Sequence, residues 1–394
     1  MKLKNLTAAI SAVAVMLSAG IFNITAFAEE DSSSDVSSSE SESDVKISGD
    51  YAYSINTEDD EYHYDGEYVE NSIRIVAYTG NDSDVVVPDE IDGYKVTAIA
   101  EDAFADCTAK TFTIPSELNY IGGSVFFNMT NCTEYKTGSN KNYTARDGVL
   151  MSADGKSLYA YPVAKTETSY VIPNGVTYIG PSAFAYSKLT DVTFPKGLTK
   201  IDEWAFAYSN LAKLDMPSSL EDIEQFAFAY CESLSEVDFS NSLTYIGSAA
   251  FACCKSITSV DLPTSLTEVG QTAFLGTGLT EVRIPASVTS IGYCAFGYDE
   301  NFKALNKFII YGVKTSQAES YATEKDEEND YENNFTFIAD QEETVAEEKS
   351  GVSLSTKMII TIVLVSVIVI AAVALCAVLI IGKISKKGKR TLLS

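Results

Sequence analysis

Apolar residues recur along this chain with a period of 22 or 23 residues. The clearest marker is a phenylalanine preceded by alanine, and it occurs at Phe184, Phe206, Phe228, Phe251, Phe274 and Phe296. In each of these units Ile or Val stands five residues before the phenylalanine, and Val or Leu stands eight residues before it. Two earlier units fit the same frame at Phe104 and Phe126, so about eight units of this size would stack into one continuous apolar core.

Within each unit, a segment of three residues alternates apolar and polar side chains, which predicts a short half-buried strand. Stacked in parallel, such strands lie about 4.8 Å apart, so their middle residues form one outward column. The sequence therefore predicts a β-rich solenoid. The predicted strands are Val192-Thr193-Phe194, Leu214-Asp215-Met216, Val237-Asp238-Phe239, Val260-Asp261-Leu262 and Val282-Arg283-Ile284.

The period fails between Phe126 and Phe184, where residues 132–168 intervene. Asp147-Gly148 and Asp154-Gly155 are turn signals on either side of Val149-Leu150-Met151. The segment Leu158-Tyr159-Ala160-Tyr161 supplies a partner strand. We therefore predict an inserted hairpin over 132–168.

The first residues are typical of a secretory signal. Residues 1–28 carry Lys2 and Lys4, an apolar run and the small-residue site Ala26-Phe27-Ala28, which predicts a signal peptide cleaved after Ala28. A first transmembrane helix is the alternative, but Ser and Asn interrupt the apolar run. Residues 29–49 are rich in Ser, Asp and Glu and are predicted to be a disordered spacer.

The last residues are typical of a membrane anchor. Residues 358–381 contain no charge and are long enough as a helix to cross a hydrocarbon core of about 30 Å. The basic tail at 383–394 is predicted to be cytoplasmic by the positive-inside rule. The sequence thus predicts a single-pass cell-membrane protein with an extracellular ectodomain at 50–338 and a stalk at 339–356.

Charge and composition narrow the possible functions. The formal net charge is −27, and all 55 acidic residues lie between the two apolar ends, which disfavours nucleic acid as a partner. The chain has one histidine, His63, so Ser-His-Asp triads and His-rich zinc sites are nearly excluded. We find no nucleotide-binding or metalloprotease motif. No catalytic residue, metal ligand or cofactor is predicted.

The repeat L-x-x-V-x-Φ-P-x-x-L-x-x-I-x-x-x-A-F-x-x-C/S, in which Φ is apolar, resembles the BspA-type leucine-rich repeat of bacterial surface proteins. Residues 85–104 resemble the opening repeat of that family, and residues 308–326 resemble its closing cap. The resemblance implies a right-handed solenoid and a role in adhesion or protein binding, without catalysis. Ser240 departs from the pattern, because it stands where the other units after residue 170 have proline.

Cysteines are open to two interpretations. Cys107, Cys231 and Cys254 each stand three residues after their phenylalanine, and Cys376 lies in the predicted membrane helix. Cys231 and Cys254 would be neighbours on successive units at about 5 Å, a separation that admits a disulfide. Cysteine is also a good small core residue, and we favour buried thiols.

Two outward rows are candidate ligand surfaces. The first row is Asp215, Asp238 and Asp261, which could bind a cation or a basic ligand or could be a solvated face. The second row is Tyr186, Tyr208 and Tyr230, with Tyr298 in the same register, which could pack between units or recognise a partner. We predict an extracellular protein or glycan partner. The alternatives are a structural envelope protein without a specific ligand and a hydrolase.

Overall fold

The computed structural model describes residues 45–57, 69–326 and 331–340, and they form a β-solenoid of very short strands. The strands up to residue 171 are β1 (Lys46–Ser48), β2 (Tyr51–Ile55), β3 (Ser72–Tyr78), β4 (Asp84–Val86), β5 (Glu90–Ile91), β6 (Tyr94–Ile99), β7 (Thr111–Thr113), β8 (Tyr120–Ile121), β9 (Glu134–Lys136), β10 (Tyr143–Arg146), β11 (Val149–Ser152), β12 (Ser157–Ala160) and β13 (Ser169–Val171).

The later strands are β14 (Tyr178–Ile179), β15 (Asp191–Thr193), β16 (Lys200–Ile201), β17 (Lys213–Asp215), β18 (Asp222–Ile223), β19 (Glu236–Asp238), β20 (Tyr245–Ile246), β21 (Glu268–Val269), β22 (Glu281–Arg283), β23 (Ser290–Ile291), β24 (Ile309–Gly312), β25 (Lys325–Asp326), β26 (Tyr331–Glu332) and β27 (Thr336–Ala339). A short helix, α1 (Gln317–Ala322), follows β24.

The longest sheet has nine strands in the order β10-β11-β12-β14-β16-β18-β20-β21-β23. From β12 onward neighbouring strands are parallel, and each unit contributes one strand of two to four residues. The second residue of each short strand faces the core, which explains the apolar position five residues before the phenylalanine. The register partners are Leu158, Ile179, Ile201, Ile223, Ile246, Val269 and Ile291.

The strands that the sequence predicts form a second, interrupted column. It consists of the separate parallel sheets β4-β7-β9, β13-β15, β17-β19 and β22-β24-β27. The observed strands begin one residue earlier than predicted, so each is polar, apolar and polar, as in β15. The prediction for Val260-Asp261-Leu262 is wrong, because no strand is formed there.

The phenylalanines of the repeat stack face to face inside the solenoid. Ring centroids of successive residues from Phe184 to Phe296 lie 4.7 to 5.3 Å apart, with interplanar angles of 5° to 13°. Each of the six side chains is at most 1% exposed. The prediction that these residues fill the core is confirmed.

After each strand of the long sheet the chain makes a turn that contains the core phenylalanine, such as residues 203–208, and we call these the outer turns. Backbone hydrogen bonds between outer turns hold successive units together. In the unit of Phe206, the N–H groups of Trp204, Phe206 and Tyr208 donate to carbonyls of the next unit at 3.1, 2.7 and 2.9 Å. Trp204 and Tyr208 reach this geometry with φ of 57° and 59°, in the left-handed region. That conformation costs roughly 1–2 kcal/mol per residue for an L-amino acid, and the bonds between units help to offset it.

The insertion is integrated into this stack. As predicted, β11 pairs with β12 in antiparallel fashion, and β10 adds a third antiparallel strand. Tyr161 then takes the place of the missing phenylalanine: its N–H donates to Ala183 at 2.7 Å, and its ring lies 5.2 Å from that of Phe184. Tyr161 therefore continues the core across the break in the sequence period.

In the closing cap, a tyrosine hydroxyl provides the hydrogen-bond partner for backbone groups of the last unit. Tyr321 in α1 accepts a hydrogen bond from the Phe296 N–H and donates one to the Phe296 carbonyl, both at 2.9 Å. Ser240 compensates for its missing proline by accepting the Ser242 N–H on its hydroxyl at 3.0 Å. Both departures from the regular unit therefore leave the backbone hydrogen-bonded.

The predicted boundaries of the ectodomain need two corrections. The spacer predicted to reach residue 49 ends earlier, because β1 pairs with β2 in antiparallel fashion. The stalk predicted from residue 339 begins too early, since Ala339 belongs to β27 and the Asp340 N–H donates to the Gly312 carbonyl at 2.8 Å.

The predicted signal peptide, membrane helix and basic tail lie outside the described residues. Among the residues that are described, none of the helices has the length and apolar character needed to cross a bilayer.

Candidate binding faces

The tyrosine ladder, which we define as Tyr186, Tyr208 and Tyr230, lies on the outer turns two residues after each core phenylalanine. Neighbouring rings are 4.7 Å apart in both steps, with interplanar angles of 2° and 4°. All three side chains are half-buried. The ladder is therefore both a packing element and a surface, which combines the two interpretations that the sequence left open.

Stacking leaves little of the ring faces accessible. Tyr208 has a tyrosine ring on each of its two faces. Tyr186 also receives the ring of Phe127 in an edge contact at 5.3 Å. Both faces of Tyr208 are thus closed to a ligand, and Tyr186 and Tyr230 each have one face covered by Tyr208.

Burial moves the pKa values of the three ladder hydroxyls further above physiological pH. Partial burial raises the pKa of Tyr186 to about 12, and Asp106 contributes a smaller effect in the same direction. Burial also raises the pKa values of Tyr208 and Tyr230. The Tyr230 hydroxyl lies next to the thiol of Cys253, which occupies the next ladder position. The ladder therefore offers hydrogen-bond donors at every physiological pH.

A second row of aromatic side chains flanks the ladder, and sequence reasoning missed it. Trp204 and Phe226 stand two residues before their core phenylalanines and stack at 4.1 Å and 9°. Phe127 connects the two rows, because its ring also contacts Trp204 at 5.8 Å. The signal was available in the sequence: Trp204 is the only tryptophan, and Phe226 stands in the same register one unit later.

Tyr298 does not extend the surface row, although it shares the register. Its side chain is 4% exposed, and its hydroxyl donates to Asn333 at 2.5 Å. Asn333 in turn donates to the carbonyl of Tyr321 at 2.6 Å. Tyr298 therefore belongs to the closing cap.

The aspartate column, defined as Asp215, Asp238 and Asp261, is exposed. Asp215 and Asp238 are register partners in β17 and β19, whereas Asp261 lies outside any strand. Arg283, in the same register one unit later, pairs with Asp340 and lies over the ring of Tyr311 at 5.1 Å. Across 45–57, 69–326 and 331–340, no group of three or more His, Cys, Asp or Glu side chains is arranged to hold a metal ion.

The cysteines of successive units are buried thiols, as the sequence favoured. Cys231 and Cys254 are fully buried and unbridged. Each thiol donates to the phenylalanine carbonyl of the preceding unit at 3.1 Å, Cys231 to Phe206 and Cys254 to Phe228. His63 and Cys376 lie outside the described residues.

The insertion creates an open polar groove of about 560 Å³ beside β9. It is lined by residues 133–137 together with Ala145, Asp147 and Gly148. Its only charged pair among the described residues is Lys136 with Glu134, at 3.3 Å. The groove presents no concentrated charge or buried reactive group, so it ranks below the aromatic face as a candidate site.

Comparisons with known proteins identify the repeats. The family model for the BspA type leucine rich repeat region matches in six copies, over residues 87–148 and 158–277. No curated protein matches the chain.

Solved structures with a similar fold include bacterial proteins of low sequence identity. The pneumococcal vaccine antigen PcpA is 19% identical, with 64% of this chain and 61% of that chain covered and a TM-score of 0.43. A leucine-rich repeat protein from Eubacterium ventriosum is 22% identical, with 47% and 69% covered and a TM-score of 0.33. A leucine rich cell surface protein from Faecalibacterium prausnitzii is 20% identical, with 70% and 96% covered and a TM-score of 0.29. The chain thus spans less than two thirds of the pneumococcal structure.

Proposed function

Because residues 87–148 and 158–277 are BspA-type leucine-rich repeats, we propose that this protein is a non-catalytic binding module on a bacterial cell surface. The predicted signal peptide and the predicted span at 358–381 would place the solenoid outside the cell on a membrane anchor. The partner class that we propose is an extracellular protein, with a glycan as the alternative.

The observation that carries this proposal is the aromatic face, defined as the tyrosine ladder together with Phe127 and Trp204. Five half-buried aromatic side chains lie in contact with one another on the outer turns. Tyr and Trp dominate the energetics of protein interfaces, because they combine a large apolar area with a polar group. A rigid solenoid holds such side chains in place before binding, which reduces the entropy lost on association.

The topology can be tested on intact cells. Protease added outside should release a fragment that ends within residues 341–356, just before the predicted span. Cells with the outer surface permeabilised serve as the positive control. A chain that stays intact on whole cells but is cut after lysis would overturn the surface assignment.

The binding role can be tested with the purified full-length chain in mild detergent against a panel of purified extracellular proteins and defined glycans. Saturable binding should be weakened by the triple variant Tyr186→Ser, Tyr208→Ser and Tyr230→Ser. The matched variant Asp215→Asn, Asp238→Asn and Asp261→Asn changes the aspartate column and should retain binding. Saturable binding to no member of the panel would instead favour a structural envelope role.

A further inference from the structure

We propose that the tyrosine ladder recognises a proline-rich peptide segment in the polyproline II conformation, lying along the solenoid axis. This inference rests on the proposed binding function of the aromatic face and names its partner class. It follows from three properties of the ladder: which atoms are accessible, how far apart they recur, and what charge surrounds them.

Stacking within the ladder favours a ligand that hydrogen-bonds to the tyrosine hydroxyl groups and contacts the ring edges. A sugar ring that stacks on an aromatic side chain needs an open ring face. Here Tyr208 is covered on both faces by its neighbours, and Tyr186 is covered by Tyr208 and Phe127. A ligand that binds through the hydroxyl groups can use them as donors, and a row of acceptors at matching spacing would pair with them.

The spacing of the rings selects the conformation of the ligand. Tyr186 and Tyr230 are two steps of 4.7 Å apart, so equivalent atoms recur after about 9.4 Å. A polyproline II helix has three residues per turn and rises about 9.3 Å per turn, so carbonyls i and i+3 point the same way at that distance. Same-side carbonyls of a β-strand recur at about 6.6 to 6.8 Å, which matches neither one step nor two.

Hydrogen-bonding capacity favours the same ligand. A polyproline II segment forms no internal hydrogen bonds, so its carbonyls are free acceptors. An α-helix has already paired nearly all of its carbonyls. In the bound state, Tyr186 and Tyr230 would donate to carbonyls i and i+3, while Tyr208 would lie between them. The thiol next to the Tyr230 hydroxyl, that of Cys253, is only a weak acceptor and would not compete with a carbonyl.

Charge adds a condition on the flanking residues of the ligand. The chain carries a formal net charge of −27, and Asp106 lies close enough to Tyr186 to affect its pKa. Such a surface attracts basic segments and repels acidic ones. The preferred ligand is therefore a proline-rich segment flanked by Arg or Lys.

Fluorescence of Trp204, the only tryptophan, provides a direct readout beside the ladder. The probe is decaproline with two arginines at each end, titrated into the full-length chain in mild detergent. A peptide of alternating Val and Thr with the same arginines tests the extended strand. We expect saturable binding of the proline peptide alone, and equal binding of the Val-Thr peptide would overturn the proposal.

Hydroxyl deletions test the assignment of individual donors without removing the ring stack. The double variant Tyr186→Phe and Tyr230→Phe should lose about tenfold in affinity, as expected for two neutral hydrogen bonds. Tyr208→Phe should lose clearly less. Tyr245→Phe, in the long sheet away from the outer turns, serves as the control for a distant hydroxyl. An unchanged affinity in the double variant would contradict the proposed donors.

The two proposals fail in different ways. If the Tyr→Ser triple variant loses binding to a panel member and the proline peptide neither binds nor competes, the binding face stands and the polyproline inference is wrong. If the triple variant retains all panel binding and the peptide does not bind, the binding role stands, but its assignment to the aromatic face and the polyproline inference are both wrong.

Discussion

The tyrosine ladder and the aspartate column are both surface rows that recur once per unit, yet they are built differently. Each ladder residue has a left-handed backbone, donates its N–H to the next unit and stacks its ring on its neighbours. The aspartates are exposed, and only Asp215 and Asp238 are register partners. A periodic surface residue can thus be part of the packing or simply solvated, and the period alone does not distinguish the two.

The difference has a consequence for recognition. Substitutions in the ladder change both the stack between units and the surface offered to a partner. Substitutions in the aspartate column change charge while leaving the packing of the units intact. Substitutions in the two rows should therefore differ in their effect on the free energy of unfolding, and a substitution in the apolar core should have the largest effect.

The largest effect is expected from Phe228→Ala in the core stack. The ring is fully buried between Phe206 and Phe251, so its loss leaves a cavity. We expect the free energy of unfolding to fall by about 3 to 5 kcal/mol, measured by urea denaturation. Phe228→Leu should lose less, because it fills part of the volume. A loss below about 1 kcal/mol for the alanine variant would contradict the core assignment.

A smaller loss is expected from Tyr208→Ser in the middle of the ladder. The substitution removes two face-to-face ring contacts, each contributing about 0.5 to 1.5 kcal/mol beyond area burial. We expect a total loss of about 2 to 3 kcal/mol in the free energy of unfolding. Tyr208→Phe keeps the stack and should stay within about 0.5 kcal/mol of the wild type. If Tyr208→Ser were equally neutral, the ladder would be a surface row without a packing role.

The next effect is expected from Phe127→Ala, which removes the ring that connects the two aromatic rows. Phe127 makes edge contacts with Tyr186 and Trp204, so its loss should cost about 1 to 2 kcal/mol. It should also expose Trp204 and shift its fluorescence to longer wavelength. Phe127→Leu retains apolar cover and should reduce both effects. An unchanged Trp204 spectrum in the alanine variant would mean that the two rows are not coupled.

The core of this solenoid could be predicted from the sequence because burial selects residue type directly. Phe228 and its equivalents need an apolar ring, and Ala at the preceding position leaves room for the close approach of units. The antiparallel pair of β11 and β12 was predictable from the turn residues Asp154-Gly155 between the two strands. These features depend on the residue types at single positions or in short turns, which can be read directly from the sequence.

The long sheet escaped prediction because its strands are too short to show an alternating pattern. Strand β16 has only two residues, and its continuity comes from hydrogen bonds to neighbouring units. Threonine hydroxyls that donate to the preceding unit, such as Thr267 to Thr244 at 3.0 Å, are equally non-local. The one-residue shift of the strands in the other column has a related cause. Val192 faces the core in both the predicted and the observed strand, and pairing with the neighbouring unit sets where β15 begins.

Only the tyrosines of the aromatic face could be predicted, because the rest of the face depends on contacts between units. Left-handed φ values are usually signalled by Gly or Asn, but here Trp204, Tyr208 and Phe226 adopt them. The backbone bonds between outer turns impose this conformation, and no single unit contains that information. The register identified the tyrosines, while the direction of the Trp204 and Phe226 rings followed from the stack.

The smallest effect on stability is expected from replacing Asp215, Asp238 and Asp261 together by Asn. Exposed substitutions usually change the free energy of unfolding by no more than about 0.5 kcal/mol. Here the sign should be a slight stabilisation, because Asp215 and Asp238 lie directly opposite each other and like charges in that position repel. The single variant Asp261→Asn is the matched control, since Asp261 has no register partner in a strand and its replacement relieves less repulsion.

Salt separates this electrostatic effect from any packing effect. At about 1 M salt the Debye length falls to roughly 3 Å, so repulsion between exposed carboxylates is largely screened. The stabilisation of the triple Asn variant should therefore be present at low salt and absent at high salt, measured by urea denaturation at both concentrations. The loss of stability in Tyr208→Ser should be the same at both, because ring stacking does not depend on net charge. If the triple Asn variant instead lost more than about 1 kcal/mol in the free energy of unfolding at both salt concentrations, the aspartate column would contribute to packing between units, as the tyrosine ladder does.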